Sequence, residues 1–126
     1  MRTIDADALL DYLNEHGYDG LNAVVDLMPT IPATLVSYEE RETVYKAALH
    51  KWGTRAQLNV VIEELSELTK EVCKLLRGNH NMDALAEEIA DVTIMLEQLR
   101  LMYGLDADVC GHIDDKVRRL ERRIVE

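Results

Sequence analysis

From residue 37 to the C-terminus, apolar side chains recur every three or four positions, the spacing of amphipathic α-helices. Ser37 with Glu40 fits a capping box, so we predict that a first helix begins there and that Gly53 interrupts it. Thr54 with Gln57 fits a second capping box directly after this glycine. The two boxes predict two consecutive helices that meet near Gly53.

Glycines also mark the ends of the later helices. The second helix is predicted to end at Gly78, because glycine readily adopts the left-handed conformation that terminates helices. A polar turn separates it from a third helix over about 84–103, which Gly104 closes. A last helix begins near Asp106 or Asp108 and continues to the C-terminus.

Residues 1–36 differ in character from this helical body. They predict a short helix closed by Gly17, a second helical piece that stops at Pro29, and an extended stretch. We therefore divide the chain into an N-terminal arm or linker at 1–36 and an all-α antiparallel helix bundle at 37–126.

Composition excludes several classes of protein. The chain has 126 residues, 24 of them acidic and 14 basic, so its formal net charge is −10. This charge disfavours nucleic-acid binding, because the phosphate backbone is also negative. No apolar run is long enough to span a bilayer. Two cysteines are too few for a disulfide scaffold, so we expect a cytoplasmic protein in which Cys73 and Cys110 are reduced and packed in the core.

Two acidic pairs are the strongest chemical signal in the chain. Glu64 and Glu67 lie in the segment IEELSEL, and Glu88 and Asp91 lie in AEEIADV. Residues three apart share a helix face, so two such helices packed side by side would bring four carboxylates together. Either pair alone is also typical of an ordinary solvated helix face.

Both pairs border predicted apolar stripes. The stripe of the second helix comprises Val61, Leu65, Leu68, Val72 and Leu75, and that of the third comprises Leu85, Ile89, Val92, Leu96, Leu99 and Tyr103. Glu88 projects between Val92 and Met95, inside the apolar arc, where a carboxylate needs a partner. Converging carboxylates repel one another, and the usual compensation is a hard divalent cation.

The order of these motifs resembles the MazG-like family of all-α nucleoside triphosphate pyrophosphohydrolases. The similar stretches are WGTRAQLNVVIEELSELTKEVCKLL, ALAEEIADVTIMLEQL and KVRRLERRI, which together span roughly residues 51–124. The resemblance implies the helix bundle of that family and homodimers or homotetramers. It also implies Mg²⁺-dependent cleavage of a nucleoside triphosphate between its α- and β-phosphates, with Mn²⁺ able to substitute.

The resemblance also assigns roles to the acidic residues. By position in the motifs, Glu64, Glu67, Glu88 and Asp91 would be the metal ligands and the catalytic residues. Neighbouring glutamates would hold water molecules around the metal, and the candidates are Glu63, Glu71 and Glu87.

Substrate contacts are implied for Lys116, Arg123, Gln57 and Trp52. Lys116 and Arg123 match basic positions of the family's last helix and lie two turns apart on one face, so both can reach one extended anion. The chain departs from the family at Leu120, where members often carry asparagine. The arginines also fit a solvated face that complements the helix dipole, and Trp52 also fits a core anchor.

Two other functions were weighed against this one. A non-catalytic helical module would use its acidic faces to oligomerise or to bind a basic partner. A di-metal carboxylate oxidase requires Glu-x-x-His pairs, which neither acidic pair supplies. The opening RTIDADAL and the later PTIP resemble a short segment of phage and prophage proteins, which indicates an origin in a mobile element.

Overall fold

The computed structural model describes residues 35–126 together with Asp11 and Glu15. All regular structure in this part of the chain is helical, which confirms the predicted all-α class. The elements are α1 (Tyr38–Leu76), α2 (Met82–Tyr103) and α3 (Asp106–Val125). None of these helices combines the length and the apolar character needed to cross a membrane.

α1 begins as its capping sequence predicts and bends at the predicted glycine. Ser37 is the N-cap, and its Oγ accepts a hydrogen bond from the backbone N–H of Glu40 at 3.1 Å. Gly53 has φ 84° and ψ 166°, a conformation far from the helical one and open almost only to glycine. α1 therefore consists of two helical segments, 38–52 and 54–76, that meet at this kink.

Backbone hydrogen bonds build the turn between α1 and α2. The N–H groups of Gly78 and Asn79 donate to carbonyls of the last turn of α1 at 3.0 and 2.9 Å. This is the Schellman arrangement, which satisfies the final carbonyl groups of a helix. Asn81 then caps α2 by accepting from the N–H of Ala84 at 3.1 Å, so α2 begins at Met82, two residues before its predicted start.

α1 and α2 pack against each other as an antiparallel hairpin. The guanidinium of Arg41 pairs with the carboxylate of Glu97, and further along α1 the carboxylate of Glu64 meets that of Asp91. Increasing numbers on α1 thus pair with decreasing numbers on α2. The buried apolar side chains of the described residues all lie on these two helices, namely Tyr45, Val61, Val92 and Met95.

The predicted apolar stripes are only partly buried. Val61 and Val92 are in the core, but several members of the stripes are exposed, namely Leu65, Val72, Ile89, Leu96 and Tyr103. In the hairpin, α1 and α2 contact each other through the side of each helix that also carries carboxylates and glutamines. The apolar side chains on the opposite border of each stripe therefore remain exposed. We call these five exposed side chains the outer apolar face.

Gly104 ends α2 in the left-handed conformation with φ 61°, and α3 then begins at Asp106, the first of its two predicted starts. The hairpin belongs to one compact unit, Val36–Val109, whereas Cys110–Glu126 belong to another. The predicted boundary at residue 36 stays a prediction. The predicted N-terminal pieces lie outside the described residues, apart from Asp11 and Glu15, which are helical.

The expectation that both cysteines pack in the core is wrong. Cys73 on α1 and Cys110 on α3 are exposed. Cys73 lies on the exposed side of α1, and no residue of α3 is buried.

Candidate metal centre

Three of the four predicted ligands meet on the inner side of the hairpin. Glu64 of α1 and Glu88 and Asp91 of α2 each offer one carboxylate oxygen, and these three atoms lie within 4.8 Å of one another. All three side chains are half-buried. Glu88 and Asp91 lie on one face of α2 because they are three residues apart, and that face is turned toward α1. We call these three residues the carboxylate cluster.

Within the described residues, no basic side chain pairs with this cluster. The Oε2 atom of Glu88 is buried and has no hydrogen-bond partner. Across the described residues, no lysine or arginine forms an ion pair with Glu64, Glu88 or Asp91. A buried carboxylate oxygen without a donor destabilises the fold unless the carboxyl group is protonated or its charge is compensated.

The environment of the cluster raises the pKa of two of its carboxyl groups. For Glu64 the largest cause is desolvation, followed by the charges of Asp91 and Glu88 and a hydrogen bond with Asp91. For Glu88 the largest cause is again desolvation, followed by the charge of Asp91. A bound cation would oppose both shifts, because it favours the ionised form of each carboxylate.

Glu67, the fourth predicted ligand, lies outside the cluster. Its side chain is exposed, and its Oε1 lies 3.6 Å from the Nζ of Lys70. Glu67 comes three residues after Glu64, so its side chain is rotated by about 60° around the helix axis from that of Glu64. It therefore points toward the edge of the hairpin contact. Its charge still helps to raise the pKa of Glu88, which places it at the margin of the cluster.

The glutamates predicted to hold water molecules differ in their burial. The side chain of Glu71 is 13% exposed, and its Oε1 accepts a hydrogen bond from the Nζ of Lys74 at 2.9 Å. Glu63 and Glu87 are exposed. Each of these two reaches the cluster through its charge, which raises the pKa of the carboxyl group next to it in sequence. Glu71 is therefore the best fixed of the three.

The residues predicted to contact the base occupy opposite environments. Gln57 is buried in the hairpin, two turns before Glu64 on the same face of α1. Trp52 is 59% exposed, directly before the kink, and the Nζ of Lys51 lies 5.2 Å from the centroid of its ring. The alternative role of Trp52 as a core anchor is therefore wrong, because most of the ring faces solvent.

Lys116 and Arg123 lie on α3, in the unit that does not contain the carboxylate cluster. Both side chains are exposed, and they share one helix face as their spacing predicts. On the same helix, Arg118 makes a local ion pair with Asp114, with 3.0 Å between Nε and Oδ2. The contact of Lys116 and Arg123 with phosphate stays a prediction.

Gln98 is a buried polar residue that the sequence analysis did not single out. Its Oε1 atom has no hydrogen-bond partner. It lies two turns after Asp91 on α2, just as Gln57 lies two turns before Glu64 on α1. Because the helices are antiparallel, both amides are displaced from the cluster by about 10 Å toward the same end of the hairpin. In the sequence, the seven-residue spacing between Asp91 and Gln98 puts both on one helix face and could have identified Gln98.

A second polar network connects the segment before the kink to α2. Glu97 accepts hydrogen bonds from the Nε and Nη2 of Arg41 at 3.0 and 3.1 Å, and another from the hydroxyl of Tyr45. Desolvation acts to raise the pKa of Glu97, but these hydrogen bonds and the charge of Arg41 outweigh it, so the pKa is lowered. Desolvation and Glu97 together raise the pKa of Tyr45 to about 12. The network stabilises the kinked hairpin.

Comparisons of this chain with protein-family models, with curated proteins and with solved structures found no match. The functional argument therefore depends on the geometry of the carboxylate cluster and on the motifs of the sequence.

Proposed function

We propose that this chain is a Mg²⁺-dependent nucleoside triphosphate pyrophosphohydrolase of the MazG-like type, which clears nucleotides from the cellular pool. The reaction is the hydrolysis of an NTP or dNTP to the monophosphate and pyrophosphate. The observation that carries the proposal is the convergence of one carboxylate oxygen each from Glu64, Glu88 and Asp91, together with the unpartnered buried Oε2 of Glu88. Such a set of oxygen donors suits a hard divalent cation.

The chemistry of the donors favours Mg²⁺ or Mn²⁺ over softer metals. Every member of the cluster is a carboxylate, whereas zinc and copper sites normally include histidine or cysteine. Mg²⁺ is usually held by a few carboxylates together with water and substrate phosphates, so three ligands leave positions for a triphosphate. When bound, the ion supplies charge neutralisation and polarisation of the phosphoryl group.

The glutamates of the hairpin are suited to accept a proton from the attacking water. In the reaction, the water oxygen bonds to the α-phosphorus, the bond from that phosphorus to the bridging oxygen breaks, and the water proton needs an acceptor. A carboxylate that does not hold the metal can accept this proton, and the margin of the cluster provides Glu63, Glu71 and Glu87. We assign the orientation of the water to Glu71 rather than to Glu63, because Lys74 fixes its carboxylate.

The substrate contacts of the proposal fall on three further residues. The exposed ring of Trp52 offers a face on which a base can stack. Lys116 and Arg123 offer two cations at a spacing that suits an extended polyphosphate. Gln57 would support the base-binding side from its buried position on α1.

We also propose that the active form is a homodimer or homotetramer. On α2, exposed apolar side chains recur every seven residues, at Met82, Ile89, Leu96 and Tyr103. On α1, the exposed Leu65 and Val72 have the same spacing. Apolar positions at this spacing are typical of the packing surfaces of helix bundles. Docking of a second hairpin on the outer apolar face would complete a four-helix bundle.

A nucleotide screen tests the activity. Purified protein is incubated with individual NTPs and dNTPs in Mg²⁺ or Mn²⁺, and both pyrophosphate and monophosphate are measured. We expect release of the two products in equal amounts from at least one nucleotide. Glu64→Gln and Asp91→Asn should lower the rate by at least a hundredfold with unchanged helical circular dichroism. Glu39→Gln, an exposed change of the same charge in the first turn of α1, is the matched control.

The non-catalytic interaction module is the second candidate, and the outer apolar face supports it. It would replace the hydrolase if Mg²⁺ neither raises the melting temperature nor supports hydrolysis of any nucleotide. A full rate in both Glu64→Gln and Asp91→Asn would assign any observed hydrolysis to a contaminant and lead to the same conclusion.

A further inference from the structure

α3 contains a heptad repeat that is separate from both the hairpin and the carboxylate cluster. If Val117 is placed at position a, the a positions are Cys110, Val117 and Ile124, and the d positions are Ile113 and Leu120. All five lie within one helix, Asp106–Val125. Apolar or small residues alternating at spacings of three and four form the contact stripe of a coiled coil. We call this set the α3 stripe.

The α3 stripe is open to solvent over much of its length. Ile113 is 51% exposed, Val117 is 39% exposed and Leu120 is 53% exposed. The remaining surface of the helix is strongly charged, so these side chains form an apolar strip with a polar border. An uncovered strip of this kind indicates a docking surface.

We propose that α3 pairs with the α3 helix of a second copy of this chain as a parallel two-stranded coiled coil. The residue types at the stripe favour this form. Val117 and Ile124 are β-branched residues at a, and Leu120 occupies d, a combination that favours two strands, whereas Ile113 at the first d position also occurs in higher oligomers.

The charges beside the stripe select the parallel orientation. Position g is basic, at Lys116 and Arg123, and position e is acidic, at Asp114 and Glu121. In a parallel pair, g of one helix faces e of the following heptad in the other, so Lys116 comes opposite the Glu121 of the second copy. An antiparallel pair would set basic g against basic g and acidic e against acidic e, and both combinations repel.

The α3 stripe and the outer apolar face belong to different compact units, and pairing through α3 does not require hydrolytic activity. A chain with two self-complementary surfaces assembles into a closed tetramer when the two symmetry axes are compatible. The segment 1–34 of the same chain is the competing occupant of the α3 stripe, and cross-linking separates the two.

Thiol cross-linking tests the pairing, because Cys110 occupies the first a position of the α3 stripe. In the Cys73→Ser variant, Cys110 is the remaining thiol. A parallel pair places the two Cys110 side chains next to each other, whereas an antiparallel pair centred on Val117 would separate them by about 21 Å along the axis. We expect a short bis-maleimide reagent to convert most of the full-length variant to a covalent dimer at micromolar concentration.

Two further variants make the test specific. Leu120→Asp should lower the yield of the covalent dimer at least fivefold with unchanged circular dichroism, because Leu120 is exposed within one chain and covered in the pair. Cys110→Ser retains the exposed Cys73, which lies next to Val72 of the outer apolar face, so it reports random collisions and pairing of hairpins. Its yield should not respond to Leu120→Asp.

Three outcomes would overturn the proposal. These are the absence of cross-linking through Cys110, a yield that Leu120→Asp leaves unchanged, and cross-linking that arises only after deletion of residues 1–34. The last result would show that the N-terminal segment of the same chain covers the α3 stripe. None of these outcomes bears on the carboxylate cluster. Pairing would engage Lys116, one of the two proposed phosphate contacts, so nucleotide hydrolysis is measured separately on the same variants.

Discussion

Glu64 on α1 and Asp91 on α2 bring carboxylate oxygens within 4.8 Å of each other across the hairpin, and no basic residue of the described part of the chain is paired to either. Two like charges at this separation destabilise the metal-free fold, and a hydrogen bond between them requires that one carboxyl be protonated. The same arrangement favours a divalent cation. If the cluster holds the proposed cation, metal binding should increase the stability of the fold.

Neutralising one member of the cluster should have opposite effects without and with metal. We expect Glu64→Gln to raise the melting temperature of the metal-free protein by a few degrees, because it removes a repelling charge and keeps the shape of the side chain. The increase that millimolar Mg²⁺ produces in the unaltered protein should disappear. Differential scanning calorimetry with EDTA and with Mg²⁺ measures both effects.

Glu39→Gln removes the same charge from an exposed position of α1 and is the control for net charge. If it raises the metal-free melting temperature as much as Glu64→Gln does, the gain comes from net charge and not from the cluster. An undiminished response of Glu64→Gln to Mg²⁺ would remove Glu64 from the set of ligands.

The raised pKa values of Glu64 and Glu88 predict the pH dependence of the metal-free protein. A carboxyl whose pKa is higher in the folded than in the unfolded state binds more protons when folded. Stability therefore increases as the pH falls from neutral through the raised pKa toward the ordinary value of 4.5. Chemical denaturation in EDTA at a series of pH values should show this increase, and Glu64→Gln should reduce it. A flat profile in this interval would contradict the prediction.

Glu97 acts in the opposite direction at lower pH. Its folded pKa lies below the ordinary value, so its contribution is complete above 4.5 and is lost as the pH falls through the lowered pKa. The stability of the metal-free protein should therefore pass through a maximum on the acid side of neutrality. Glu97→Gln should reduce the loss of stability at pH values below that maximum. It should leave the change in stability between neutral pH and the maximum unaltered.

Local signals predicted the helix boundaries and most of the cluster. Ser37, Gly53 and Gly104 act through the backbone within a few residues, so their effects can be predicted from the sequence. Glu88 and Asp91 meet because i, i+3 spacing fixes their common face. The same spacing rule predicted that Glu67 would lie beside Glu64 in the cluster. The position of α2 determines which face of α1 is turned inward, and that face includes Glu64 but not Glu67.

Long-range pairings could not be predicted in this way. Arg41 and Glu97 are 56 residues apart, and their contact depends on the register of the hairpin and on the bend at Gly53. The predicted stripes are wide enough for two packing surfaces, so periodicity alone did not show which border would be buried. That is why Leu65 and Ile89 were expected inside and lie exposed.

Tyr45 should contribute to stability through its hydroxyl as well as its ring. The ring is buried and the hydroxyl donates to Glu97. Tyr45→Phe keeps the ring but removes this donor from a charged acceptor, so we expect a loss of about 1–2 kcal/mol in the free energy of unfolding. Urea denaturation measures the loss, and an unchanged m-value would show that the extent of unfolding is the same.

Tyr38→Phe is the matched control, because the ring of Tyr38 is exposed and lies against the guanidinium of Arg41. The distance from the Cζ of Arg41 to the centroid of this ring is 5.4 Å. This variant keeps the ring contact and should change stability little. Equal losses in the two variants would show that the bond to Glu97 is not the origin of the effect.

The kink of α1 should depend on the absence of a side chain at Gly53. Its φ of 84° lies in a region that other residues rarely adopt, and a Cβ atom there would meet no neighbouring atom within 4 Å. The cost of Gly53→Ala is therefore backbone strain rather than a clash, about 1–3 kcal/mol. Gly111→Ala, in the interior of α3 with equally open surroundings, should instead stabilise by about 0.5–1 kcal/mol.

The two alanine variants separate strain from helix propensity. If Gly53→Ala is as stable as the unaltered protein, α1 has straightened into one continuous helix. The segment before Gly53 would then lose its register with α2, and Tyr45→Phe would no longer cost stability in that background. A double-mutant cycle of Gly53→Ala with Tyr45→Phe therefore shows whether the kink is what brings Tyr45 to Glu97.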